Sequence, residues 1–299
     1  MSRIWTTGNL PEMKNRAAIV TGGNRGLGYE SALALAKAGC SVVIACRDEQ
    51  KGNHSVERIK AQVEGADVRC LPLDLTCQKS IAIFADQYRK LFSRLDILLN
   101  NAGVVNLSEL RHTDTGDEMH LATNHLGHFS LTGQLVDLIA NTPLARVVTV
   151  TSGGYKFGEI RFDDIDWTKR PYHRVKSYGD SKLANLLFSR SLNKLFLHHK
   201  IDAIALSAHP GLTASERQQS EGIGGPLSKL LASPLSCGVQ PLLRSCCDPV
   251  LTGGELIGPK FGIRGKPVCQ KITSASYNDE MADALWAYSV KKTGVRYLI

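Results

Sequence analysis

Eight cysteines stand at positions 40, 46, 70, 77, 237, 246, 247 and 269, yet no two form a C-x-x-C pair or a metal-ligand spacing. That removes zinc ribbons and dithiol redox motifs from consideration, and no metal is expected. No stretch reaches the roughly 20 consecutive apolar residues that a membrane-spanning helix needs, so no transmembrane segment is expected. The opening residues MSRIWTTGNLPEMKNR carry no apolar h-region of a signal peptide. A reducing, cytoplasmic setting with free thiols follows as the expectation, in which the sequon-like stretches at Asn53 and Asn106 have no use. No basic run is interleaved with aromatics, which sets nucleic acid aside as a partner although the formal charge is +8. That charge reads either as surplus surface Lys and Arg or as attraction to an anion such as a phosphorylated cofactor. Repeats, low-complexity tracts and linker-like breaks are missing too, so residues 1–299 are expected to form one domain.

What is present is ordinary for a globular chain, with 43% hydrophobic and 21% charged residues. Short β-branched apolar runs occur at 17–21, 41–46, 68–73, 95–99, 146–151 and 201–207. Longer stretches of helical spacing separate most of them; Leu183, Leu186 and Leu187 follow the i, i+3, i+4 pattern of one buried face. Alternating strands and helices predict a Rossmann-type, doubly wound parallel α/β sheet with helices on both faces and ligands beyond the strands' carboxyl ends.

The first run leads directly into Thr21-Gly22-Gly23-Asn24-Arg25-Gly26-Leu27-Gly28. A glycine turn between strand and helix brings backbone N–H groups and a positive helix end to a pyrophosphate. The second run ends Ala45-Cys46-Arg47, where an NAD binder usually carries an acid for the ribose 2′-hydroxyl. Arg25 and Arg47 instead suit a 2′-phosphate, which predicts NADP(H). Further on, Tyr178-Gly179-Asp180-Ser181-Lys182 opens a helix-like segment. Residues four apart share a helical face, so the ammonium can meet the phenol and favour its phenolate form. Tyr-x-x-x-Lys alone is a common spacing and by itself selects little.

Together these residues resemble the short-chain dehydrogenase/reductase family over about residues 13–298. The resemblance rests on TGGNRGLG at 21–28, Asp74-Leu75, NNAG at 100–103, Ser152 with Tyr178 and Lys182, and Pro210-Gly211. It implies catalytic roles for Asn124, Ser152, Tyr178 and Lys182. Asp74 would contact adenine, with Leu75 beside it, and Asn101, Ala102 and Gly103 would line the adenosine side. Lys182 would also hold the nicotinamide ribose, Ser152 the substrate oxygen, and Asn124 a water relaying protons to Lys182. After Pro210 and Gly211, Thr213 or Ser215 would hold the carboxamide; the family often has Thr where Ser215 stands. The family's usual pairing implies a homodimer or homotetramer through the helices carrying Asn124 and Tyr178.

Within the family, Ala-Cys-Arg-Asp at 45–48, Asn-His-Leu-Gly-His-Phe at 124–129 and Ser-Lys-Leu-Ala-Asn at 181–185 are most similar to one branch. That branch contains the retinol dehydrogenases, WW-domain oxidoreductase and protochlorophyllide reductase. The separation of 26 residues between Ser152 and Tyr178 agrees with it, while Thr151 replaces the branch's usual Ser. The implied activity is NADP(H)-dependent hydride transfer to or from a carbonyl or alcohol, with Tyr178 as acid–base. Reduction of a C=C bond is the alternative chemistry, and a non-catalytic NADP(H)-sensing module the alternative class.

His120, His125 and His128 lack a carboxylate or cysteine at a spacing that would complete a zinc set. Cys246 and Cys247 read as buried thiols. Residues 1–13 read as a leader that, Trp5 included, packs on the outside of the domain or stays mobile. Residues 212–235 follow the sixth run, where this fold places a substrate lid, and Leu227, Leu230 and Leu231 would give it an apolar face.

Overall fold

A computed structural model of the protein describes residues 5–105, 107–213, 233–272 and 278–298. Its strands are β1 (Ala17–Thr21), β2 (Ser41–Cys46), β3 (Val68–Pro72), β4 (Ile97–Asn100), β5 (Ala145–Val150), β6 (Ala203–Ala208), β7 (Leu256–Pro259) and β8 (Pro267–Gln270). They form one eight-stranded sheet in the order β3-β2-β1-β4-β5-β6-β7-β8. All neighbours run parallel except β7 and β8, which are antiparallel. The expected parallel sheet is therefore mostly parallel, closed at one edge by a short hairpin that periodicity did not announce. The six expected strands are all present, β1 and β2 with the expected bounds and the other four with ends displaced by one or two residues.

Helices α1 (Gly26–Lys37), α2 (Glu49–Lys60) and α3 (Gln78–Leu91) follow the first three strands. A three-part helical segment follows β4: α4 (Met119–Leu121), a π-helical turn Ala122–Leu126 and α5 (Gly127–Gln134). Then come α6 (Val136–Ala140), α7 (Arg174–His198), α8 (Leu235–Cys247) and α9 (Asp279–Thr293). The strands' two-residue period sorts the core. Ala18, Val20, Val42 and Ile44 face one apolar cluster with residues of α1 and α8, while Ile19, Val43, Ala45 and Leu98 face another with α3, α5 and α7. Both faces are covered, which explains why the strands read as unbroken apolar runs.

Two expectations are corrected. Trp5 is buried in the α1/α8-side cluster with Met13 rather than resting outside, because its large apolar ring gains by leaving water with that cluster. Tyr178 lies in the second turn of α7, not at its start, because the helix begins at Arg174 under a His173 N-cap that accepts from the Lys176 N–H at 3.4 Å. Leu183, Leu186 and Leu187 are buried as their spacing requires. None of the described helices is long and apolar enough to cross a membrane.

Candidate active site

The strand order turns back between β1 and β4, which opens a crevice at their carboxyl ends. Two loops meet there. Gly22 sits at φ +65° and Gly26 at φ +54°, a left-handed region that favours glycine. Gly28 must lack a side chain, because a Cβ there would collide with the Gly22 carbonyl and with Asn101. The Asn101 amide donates to the Thr21 carbonyl at 2.8 Å, and the Thr21 hydroxyl accepts the backbone N–H groups of Asn101 and Ala102 at 2.8 and 2.9 Å. The glycine turn and the 101–103 turn are thus one unit. Asn24 joins it to α2 through a 2.9 Å bond from Ser55 to its carbonyl.

This unit fits a dinucleotide. Helix α1 has no capping side-chain bond and no acid in its first turn, and the Cβ direction of Gly26 meets open space. Its orphan N–H groups therefore offer a site for a phosphate. Arg25 and Arg47 are both exposed beside this turn. Asp48, the acid after β2, accepts from the Lys51 N–H at 3.1 Å and pairs with its ammonium at 2.7 Å. That carboxylate is engaged as the cap of α2. Asp74 accepts from the Thr76 backbone and hydroxyl with one carboxylate oxygen, at 2.9 and 2.7 Å. Leu75 is buried beneath it against Gly127.

Pro210 and Gly211 follow β6, and Gly211 adopts φ +74° where any side chain would strike the Ile263 carbonyl. The Gly211 N–H points to His209 Nδ1 at 3.3 Å, while His209 Nε2 meets Gln270 at 2.9 Å. Burial lowers the pKa of His209, which suits this neutral arrangement. Leu27, Pro210 and Thr213 all border Gly238 of α8, and Thr213 is buried. Ser215 and most of 212–235, with Leu227, Leu230 and Leu231, lie outside the described residues, as does Asn106.

The four residues expected to be catalytic converge around two glycines. A Cβ on Gly154 would stand 3.3 Å from the Tyr178 ring and 3.6 Å from Ser152 Oγ. One on Gly103 would stand 2.8 Å from Asn124 Oδ1 and 3.6 Å from Lys182 Nζ. Ser152 follows β5 by two residues and caps the 3-10 helix Gly153–Phe157, accepting from Gly154 N–H at 3.2 Å. Lys182, only 4% exposed, donates to the Val150 carbonyl at 3.1 Å, and its ammonium stands 5.6 Å from the Tyr178 ring centroid. Asn124 sits in the π-helical turn, a geometry that recurs at functional sites. Its amide donates to the Val104 carbonyl at 3.0 Å and to Ser181 at 2.9 Å, and its oxygen accepts from Val104 N–H at 2.7 Å.

The three histidines separate to different tasks. His128 spans the two loops: Nδ1 bonds the Asn124 carbonyl and Nε2 the Thr21 hydroxyl, both at 2.9 Å. Because a carbonyl only accepts, Nδ1 carries the proton; burial lowers the pKa to about 4 and keeps the ring neutral. His125 bonds Ser289 at 2.8 Å, its pKa lowered by burial to about 3. His120 bonds Glu118 at 2.9 Å and Ser177 at 2.8 Å. Sequence reasoning noticed these rings but not their partners, which lie up to 164 residues away.

Between Ser152 and Tyr178, Asp164 accepts backbone bonds from Thr168, Lys169 and Arg170. Asp180 accepts from Glu159 N–H at 2.7 Å and from Arg170 at 3.2 Å, so the long insertion is fastened to the catalytic helix.

Comparison with known proteins agrees with this architecture. The family model "short chain dehydrogenase" matches residues 16–223. Mouse retinol dehydrogenase 12 is 35% identical, covering 96% of this chain and 89% of its own length. A chloroplastic short-chain dehydrogenase TIC 32 B from Brassica napus is 33% identical, over 94% of this chain and 89% of its own. The crystal structure of an uncharacterized protein from Mycobacterium paratuberculosis superposes with a TM-score of 0.83 at 32% identity, covering 99% of this chain and 100% of that one. The chain is a member of the short-chain dehydrogenase family, a group of nicotinamide-dependent oxidoreductases.

Proposed function

We propose that the protein transfers hydride between NADP(H) and a lipophilic carbonyl or alcohol, a retinal-like compound, aldehyde or ketone. The observation that carries this reading is the meeting of Ser152, Tyr178, Lys182 and Asn124 around Gly103 and Gly154 at the mouth of the dinucleotide crevice. When bound, the nicotinamide supplies or accepts the hydride. Tyr178 gives its phenolic proton to the carbonyl oxygen in reduction and recovers it in oxidation. Ser152 hydrogen-bonds that oxygen and orients it. Lys182 favours the phenolate by its charge and holds the nicotinamide ribose, and Asn124 anchors a water that returns protons towards Lys182. The retinol dehydrogenase name of several relatives supports a lipophilic substrate.

Preference for NADP(H) is supported by two exposed arginines beside the ribose end of the crevice, Arg25 and Arg47, and by the engagement of Asp48 with Lys51. Charge-assisted bonds to a phosphate contribute about 1.5–3 kcal/mol each, roughly ten- to hundredfold in affinity. The test is cofactor oxidation with retinal, aliphatic aldehydes, steroids and quinones. NADPH is expected to exceed NADH by at least about tenfold, and Arg25→Ala with Arg47→Ala to erase that difference. Equal rates with the two cofactors in the wild type would overturn the NADP(H) assignment.

A further inference from the structure

Beneath the ring of Tyr178 lies a polar cluster that the chemistry above does not use. Glu118, His120 and Ser177 are each no more than 1% exposed. Glu118 Oε1 accepts from Ser177 Oγ at 2.8 Å and from His120 Nδ1 at 2.9 Å, and Oε2 accepts from the Leu121 N–H at 2.9 Å. The Leu107 N–H points at His120 Nε2 from 3.4 Å. With the Leu107 N–H directed at Nε2, Nδ1 is the nitrogen that donates to Glu118. These bonds offset burial and keep the Glu118 pKa below the ordinary carboxylate value. The His120 ring meets the Tyr178 ring edge-on, with centroids 5.9 Å apart at 69°.

We infer that Glu118, His120 and Ser177 are positioning residues for Tyr178. They seat its ring and set a fixed negative charge that opposes phenolate formation, balancing the pull of Lys182. This rests on the reading of Tyr178 as the proton-carrying residue. The bonded geometry gives the cluster its hold: Ser177 immediately precedes Tyr178, and Leu107 and Tyr172, joined at 3.1 Å, close its outer side. Burial first and the Glu118 charge second raise the pKa of Tyr172, whereas at Asp180 Glu118 acts only after burial and the opposing influences of Glu159, Arg170 and Trp167. Among the described residues, the titratable groups around Tyr178 include Lys182 and Asp180 on α7, the latter bonded to Arg170. Tyr172 precedes that helix, Glu118 and His120 come from the α4 region, and Tyr155 and Lys156 lie on the 3-10 helix whose Gly154 borders its ring. Within this set Glu118 is a buried anion whose neutralisation leaves the cations in place.

The experiment is the pH profile of kcat for NADPH-dependent aldehyde reduction in the full chain. Reduction needs the protonated phenol, so activity falls on the basic side as Tyr178 ionises. Glu118→Gln is expected to move that basic limb about one pH unit towards acid, since a like charge has been removed. Ser177→Ala keeps the charge but strips a donor from it, and is expected to move the limb in the opposite direction by about half a unit. A scaffold without electrostatic influence would lower kcat at every pH and leave the limb in place. If Tyr178→Phe is inactive and the limb moves in neither variant, the inference falls while the proposed function stands. Should Tyr178→Phe retain wild-type turnover, the proposed function itself fails.

Discussion

His128 shows how one side chain can join two loops of the candidate site. Its neutral ring ties the Thr21 hydroxyl, on which the 101–103 turn hangs, to the carbonyl of Asn124. Protonating that ring would place a second donor against a hydroxyl already accepting two N–H groups. Unfolding releases both His128 and His125 to the ordinary histidine value of 6.5, so the unfolded chain binds more protons below it. Their contribution to stability is whole above pH 6.5, declines as the pH falls, and is exhausted near pH 4 for His128 and pH 3 for His125. Asp180 acts in the opposite sense: burial raises its carboxyl to about 7, so its stabilisation is present below the ordinary aspartate range and lost as pH rises through 7. Comparing His128→Gln with wild type separates the two. Denaturant melts between pH 7 and 4 are expected to show a shallower acid loss in the variant, by about 1.4 kcal/mol for each pH unit of depressed pKa removed. Equal slopes would mean that His128 is not held neutral.

Among the elements, the glycine turn leaves no room for a side chain at Gly28. Gly28→Ala drives a methyl into the Gly22 carbonyl and the Asn101 amide, and overpacking of this kind costs about 1–3 kcal/mol. The expected result is loss of NADPH affinity by roughly ten- to hundredfold with a lowered Tm, read by cofactor fluorescence titration. The insertion after Ser152 gives a second prediction. Arg170→Met removes the guanidinium from Asp164 and Asp180, at 3.4 and 3.2 Å, leaving the buried Asp164 carboxylate short of its cation. Melting should show destabilisation of about 3 kcal/mol or more. These elements also show what could be read in advance. β1, β2 and the Tyr178 helix were legible because both their period and their turn residues are local. β7 and β8 were not: four residues each, carrying Gly258, Pro259 and Pro267, they are held by pairing of β7 with β6 and of β8 with β7. Glu118 escaped notice because its partner Ser177 lies 59 residues on.

Across the whole molecule, the sheet's carboxyl edge assembles the site from parts far apart in the chain. The β7–β8 hairpin shows how distant the supports reach. Gln270 holds His209 at 2.9 Å and the Pro259 carbonyl at 2.8 Å, and His209 in turn holds the Gly211 turn. Gln270→Ala is therefore expected to raise the KM for NADPH several-fold while kcat at saturation stays near wild type, measured by steady-state kinetics. The central claim is that this assembled edge is a reductase site with Tyr178 as its acid. The most direct measurement is single-turnover aldehyde reduction by wild type and Tyr178→Phe, with NADPH affinity determined for both. The account predicts a rate loss of about 100- to 10,000-fold with affinity unchanged. Wild-type turnover in the Phe variant would contradict it.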